Sequence, residues 1–160
     1  MINSFKEKLL YKFTKKYWKL INQKHGILNN FTVQKGLFKD LKLNKEQYWN
    51  SGDLGSKIYG FYEKDVQEII YKIVKKYKIK QFINIGSADG FFPIGFLRLK
   101  LFKNAICFEQ NKIGRKSIIQ NAITNKVLDK IKVFGEINSN NFKNELVSKL
   151  QKSPSLILCD

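Results

Sequence analysis

A run of small residues, Gly86-Ser87-Ala88-Asp89-Gly90, directly follows the apolar stretch Gln81 to Ile85. A strand that turns sharply through small residues into a helix lets a ligand approach bare backbone near helix N–H groups. A tight strand-to-helix turn that needs glycine for its dihedrals would look the same. Glu109 adds a second signal, because it ends the next apolar stretch, 23 residues after Gly86. A carboxylate at that place offers two oxygens to the vicinal hydroxyls of a ribose. Turn and acid together point to nucleoside binding. For a dinucleotide the pattern Gly-x-Gly-x-x-Gly is required, and its positions here hold Gly86, Ala88 and Phe91. A bulky aromatic at the third position leaves a dinucleotide-dependent oxidoreductase as the weaker alternative.

Other chemistry is scarce. The single histidine, His25, excludes multi-histidine metal chemistry within this chain and reads as a surface residue in a lysine-rich stretch. Cys107 and Cys159 sit in apolar, strand-like runs and suggest neither a disulfide framework nor a zinc site. No apolar run approaches the roughly 20 residues of a membrane span, and no secretory signal is visible. The expectation is a reduced, soluble, cytoplasmic protein. The net charge of +17 invites a nucleic-acid partner. Arg98 and Arg115 are the only arginines among 30 basic residues, however, and arginine is the preferred reader of bases and phosphates, so that partner is disfavoured.

The elements that must position the turn follow from periodicity. Residues 4–21 form a basic amphipathic helix, with Phe5, Leu9, Phe13, Tyr17 and Leu20/Ile21 at spacings of three to four and lysines between them. Residues 25–62 read as loop with short elements, broken by Asn29, Asn30 and several glycines. A helix over 63–78 carries Glu63 and Asp65 in its first turn and lysines in its last, as the helix dipole favours. Beyond residue 81, strands at 81–85, 105–109, 131–134 and 155–160 alternate with helices at 91–102, 112–128 and 140–152, the last capped by Ser139. Such alternation implies an α/β fold with a parallel sheet. The chain divides into a basic helical segment with loops over 1–62 and a cofactor-binding domain over 63–160.

Gly-x-Ala-x-Gly after a strand resembles motif I of the class I S-adenosylmethionine-dependent methyltransferases, and the order of motifs over residues 58–160 agrees. The resemblance implies a Rossmann-like sheet of order 3-2-1-4, the first part of a seven-stranded fold, and S-adenosylmethionine as cofactor. It places Gly86, Ser87, Ala88, Asp89 and Gly90 around the methionine part and Glu109 on the ribose hydroxyls. Gln110 would lie beside the adenine, Glu136 would meet the adenine amine, and Asp160 would stand at the active-site rim. Asn84 stands where the family often has Asp or Glu, and Ala88 where glycine is usual. The stretch Ile58-Tyr59-Gly60-Phe61-Tyr62-Glu63 resembles one found over the cofactor pocket in some sugar-modifying members, which makes a sugar-type hydroxyl one acceptor; a turn capping the next helix reads equally well.

Because the sequence stops at Asp160, where substrate-side residues would begin, the expectation is a fragment. Expressed alone, it would expose the edge of its last strand, aggregate, bind cofactor weakly and transfer no methyl group. No catalytic base is assigned. For residues 4–21, packing of the apolar stripe on the domain is favoured over a third function, peripheral contact with an anionic membrane or nucleic acid.

Overall fold

Four short apolar segments pair side by side into one parallel sheet: β1 (Gln81–Ile85), β2 (Asn104–Phe108), β3 (Ile131–Phe134) and β4 (Ser155–Cys159), in the order β3-β2-β1-β4. This is the Rossmann-like α/β order that the resemblance implied. The computed structural model describes residues 2–46, 51–138 and 154–159, and within these not the side chains of 2–10 and 51. The expected helix at 140–152 with its Ser139 cap, and Asp160, lie outside the described residues. Ile83 sits in the middle of the sheet, in register with Ile106 on one side and Ile157 on the other. A central parallel strand meets other elements on both faces, and Phe82, Ile83 and Asn84 are accordingly buried.

Helix α1 spans Ile2–Leu28, α2 Leu54–Ile58, α3 Lys64–Tyr77, α4 Phe91–Arg98 and α5 Lys112–Thr124. Two helices stop about a turn earlier than periodicity suggests, α4 at 98 rather than 102 and α5 at 124 rather than 128. In each case a lysine just beyond the helix turns left-handed, Lys100 at φ 54° and Lys126 at φ 58°. Lys78 does the same after α3, at φ 53°. Glycine or asparagine normally takes that conformation, so these ends carry no mark in the sequence.

α4 is buried from Phe91 to Leu97 and drives the main core. Phe38 packs edge-on against Phe91 and Phe96, with ring centroids 5.2 and 4.9 Å away. Phe31, Val33, Leu41, Leu54 and Ile58 join the same apolar cluster as Phe82, Ile94 and Ile118. Residues 31–58 therefore share their core with the sheet and its helices. A smaller cluster on the other face of the sheet holds Ile83, Ile106 and Phe108, with Phe134 and Ile137 against it.

The favoured expectation for the N-terminal helix fails. Residues 11–20 of α1 are exposed all round, and among the described side chains the helix meets the body through its last turns. There Asn22 accepts from the Gly55 N–H at 3.0 Å and donates to the Gly52 carbonyl at 3.1 Å. His25 is a docking residue rather than a free surface one, with Nδ1 2.8 Å from the Tyr59 hydroxyl. Among the described side chains, polar hydrogen bonds of Asn22 and His25, and not Phe13, Tyr17 or Leu20, fix this helix to the body.

Cys107 lies inside β2, where burial pushes its thiol up to about 12, against a smaller opposing effect of its hydrogen bond with Ser87. Cys159 is exposed. A disulfide reagent at mildly alkaline pH should therefore titrate one thiol in the native chain and the second only in denaturant. Since the folded-state value is raised, this group leaves stability intact below the ordinary 9.0 and erodes it as pH rises toward about 12. Two rapidly reacting native thiols would contradict the burial.

Candidate functional site

A cavity of about 340 Å³ opens at the carboxyl ends of β1 and β2, the place where open α/β sheets bind ligands. Its walls are Asn84 and Ile85, the loop Gly86 to Asp89, Phe108 to Gln110, and Glu136 and Ile137 after β3. Lys57, Tyr62, Phe91 and Phe92 close it from the side of α2 and α4.

Glu109 is the hinge of this geometry. Its Oε2 accepts from the Ala88 N–H at 2.8 Å and its Oε1 from the Asn111 N–H at 2.8 Å. One carboxylate thus ties the loop after β1 to the turn after β2. Arg115 braces the same turn, with Nη1 donating to the carbonyls of Glu109 and Gln110 at 2.8 and 2.7 Å. Each carboxylate oxygen has a second lone pair, so a vicinal diol can still bond to both.

The loop is pinned through its own backbone. The N–H groups of Gly86 and Ser87 donate to the Phe108 carbonyl, at 2.9 and 3.0 Å, and that of Gly90 to Ser87 at 2.7 Å. The Phe91 N–H donates to Asp89 Oδ1 at 3.3 Å. Pro93, in the same first turn of α4, has no N–H. With the Ala88 N–H held by Glu109, most donors that would cradle a pyrophosphate already have acceptors. A carboxylate, Asp89, stands at the helix N-terminus in place of a phosphate.

Asp89 is in turn held by Lys57, with Nζ 2.7 Å from Oδ2 and both side chains buried. The ammonium also lies over the rings of Tyr62 and Phe91, 5.0 and 5.2 Å from their centroids. Such ring faces partly replace the water a buried cation loses. Among the described residues the charged lining is then Asp89, Glu109 and Glu136 against Lys57. In a chain of net charge +17, this cavity is locally acidic.

No protein-family profile matches this sequence, and no curated protein is significantly similar to it. Solved structures that overlap it include a candidate caffeoyl-CoA O-methyltransferase of Staphylococcus aureus, 17% identical with a TM-score of 0.47, over 52% of this chain and 40% of that one. TrmK of M. capricolum with S-adenosylhomocysteine gives 15% and 0.42, over 51% and 35%. An S-adenosylmethionine-dependent methyltransferase of Geobacter sulfurreducens, also with S-adenosylhomocysteine, gives 11% and 0.34, over 42% and 28%. The match spans two fifths or less of each of these proteins. The chemistry of the site is therefore read from its own geometry.

The residues singled out in the sequence largely converge. Gly86, Ser87, Ala88, Asp89, Glu109, Gln110 and Glu136 all line the cavity. Gly90 does not; at φ 79° it caps α4, and a Cβ there would press on Ile94 and Ile118. Ser87 directs its hydroxyl to the Asn84 carbonyl at 2.8 Å rather than offering it to a ligand. Asp160 lies outside the described residues. Of the two readings of residues 58–63, the cavity side gains Tyr62, while Glu63 precedes α3 without a side-chain capping bond.

The sequence reading missed Lys57. Its signal is faint: a lysine between the buried Leu54 and Ile58, in a chain full of lysines.

Ala88 adopts φ 47°, a left-handed conformation that costs an L-residue roughly 1–2 kcal/mol. Ala88→Gly should therefore raise stability by up to about 1 kcal/mol, after allowance for the greater freedom of glycine in the unfolded chain. A urea titration reads this directly. A clear loss of stability would mean the alanine methyl makes contacts that outweigh the strain.

Proposed function

We propose that this chain carries the cofactor-binding part of an S-adenosylmethionine-dependent methyltransferase. The observation that carries the reading is the pairing of an acidic cavity with a loop whose N–H groups are already bonded. A dinucleotide brings two phosphates, which need free donors and positive charge; most N–H groups of the loop have acceptors, and Lys57 is paired with Asp89. A nucleoside with cationic groups and a ribose diol suits the same residues: Asp89, Glu109 and Glu136 offset positive charge, and Glu109 keeps lone pairs for the hydroxyls.

When bound, the cofactor supplies an electrophilic methyl group on a sulfonium. The part played by this chain is positioning. Glu109 accepts from the ribose hydroxyls while its backbone-bonded geometry stays fixed. Gln110 and Glu136 serve the adenine edge, with Ile85, Phe108 and Ile137 as its apolar surroundings. Gly86 to Asp89 follow the methionine part, and the Lys57–Asp89 pair with the rings of Tyr62, Phe91 and Phe92 limits water on that side. Asp160 is retained as the rim acid. Methyl transfer needs an acceptor held in line, and a base only where the acceptor loses a proton. A sugar-type hydroxyl is the first acceptor class to try, from the likeness of residues 58–63 to a segment of sugar-modifying members.

Thermal melting with added ligands tests the cofactor reading. S-adenosylmethionine and S-adenosylhomocysteine, each near a hundredfold over its Kd, should raise the midpoint by about 5–10 °C. NAD, NADP and FAD should leave it unchanged. A shift with a dinucleotide and none with the two sulfur nucleosides would replace this proposal by the oxidoreductase.

A further inference from the structure

The face by which α1 docks is opposite a stripe of five exposed apolar residues. Asn22 and Gly26 are buried against the body, whereas Phe13, Tyr17, Leu20, Ile27 and Leu28 are 64, 64, 61, 66 and 68% exposed. Their three- and four-residue spacing sets these five on one side of the helix, about half a turn from Asn22 and Gly26. Docking the helix therefore turns its apolar stripe outward, and nothing among the described residues covers it. Trp18 and Tyr11 are exposed too, at 59 and 66%.

The charge of the helix selects its occupant. Lys16 borders the stripe and Lys24 lies in it, whereas Lys12, Lys15 and Lys19 follow Asn22 and Gly26 at spacings of three and four; all five are exposed, and no acidic residue occurs between Glu7 and Asp40. A second copy laid stripe to stripe would set Lys16 and Lys24 against their counterparts with no acid to pair them. An anionic surface with an apolar interior meets both features. Lys24 falls within the stripe, but its four-carbon stem lets the ammonium reach phosphates while the methylenes stay with the apolar side chains. No helix among the described residues is long and apolar enough to cross a membrane, so contact along the helix is the geometry that remains.

We infer that α1 lies along the headgroup region of an anionic lipid bilayer, with Phe13, Tyr17, Leu20, Ile27 and Leu28 inserted and Lys16 and Lys24 at the phosphates. None of these residues lines the cavity, so the inference stands apart from the methyltransferase reading.

Co-sedimentation of the full 160-residue chain tests it, with vesicles of phosphatidylcholine alone or of equal parts phosphatidylcholine and phosphatidylglycerol. Binding should favour the anionic vesicles at least tenfold and fall as salt rises. The paired variant Phe13→Asn, Leu20→Asn should lose tenfold or more of that binding. The variant Lys16→Gln, Lys24→Gln should lose roughly fivefold per lysine. All these side chains are exposed, so both variants should melt with the parent, and a vesicle-free spin corrects for self-pelleting. Absence of binding to anionic vesicles overturns the inference, as does binding that the paired apolar variant retains. Self-association that the apolar variant abolishes, or RNA retention that only the lysine variant loses, would assign the face to another partner and overturn it equally.

Discussion

Replacing Glu109 by glutamine is expected to weaken S-adenosylmethionine binding by about a hundredfold, the largest effect of any single conservative change in the cavity. The carboxylate satisfies two backbone donors at once, Ala88 N–H on one oxygen and Asn111 N–H on the other. An amide has one oxygen, so one of those N–H groups would face an NH2 and lose its acceptor. On the ligand side, losing a charge-assisted bond to a ribose hydroxyl costs about 1.5–3 kcal/mol, and leaving the second hydroxyl without its acceptor adds to it. A total near 3 kcal/mol corresponds to about two decades in affinity. The change also unties the loop after β1 from the turn after β2, so the melting midpoint should fall modestly. Comparing affinity and midpoint for Glu109→Gln and Glu109→Asp separates the two effects. Aspartate keeps both oxygens but is one methylene short of them. An unchanged affinity in the glutamine variant would remove Glu109 from the binding role.

The second large effect concerns stability. Lys57→Met should cost about 3–5 kcal/mol, because it leaves the Asp89 carboxylate buried without its cation. For a chain of this size that is a fall of about 10 °C in melting midpoint. Asp89→Asn should be damaging as well, since it strands the ammonium between the rings of Tyr62 and Phe91. The double variant should recover most of the loss. Asparagine keeps an oxygen for the Phe91 N–H, and methionine fills much of the lysine volume without a charge. A double-mutant cycle in urea reads the coupling. Near-neutral single variants would mean the pair is solvated and does not close the cavity.

What the sequence made legible was local. The strand over 81–85, the small-residue turn and the acid ending the next strand are each defined within a few residues, and the parallel order follows from their alternation. Contacts between distant segments were not legible. Lys57 meets Asp89 across 32 residues of chain, and nothing distinguishes it beforehand from the other lysines. α1 misled because an apolar stripe is normally the buried one. Here Asn22 and His25 bond to the segment at 52–59 and turn the stripe outward. Helix ends were misplaced where Lys100 and Lys126 take the conformation usually left to glycine. Gly90 looked like part of the ligand loop because its place beneath α4, against Ile94 and Ile118, depends on packing.

Calorimetric titration with S-adenosylmethionine, run on the parent chain and on Glu109→Gln in parallel, tests the central claim most directly. One site per chain is expected in the parent, with an affinity about a hundredfold lower in the variant. Equal affinities, or no binding by a parent chain that binds NAD instead, would contradict it.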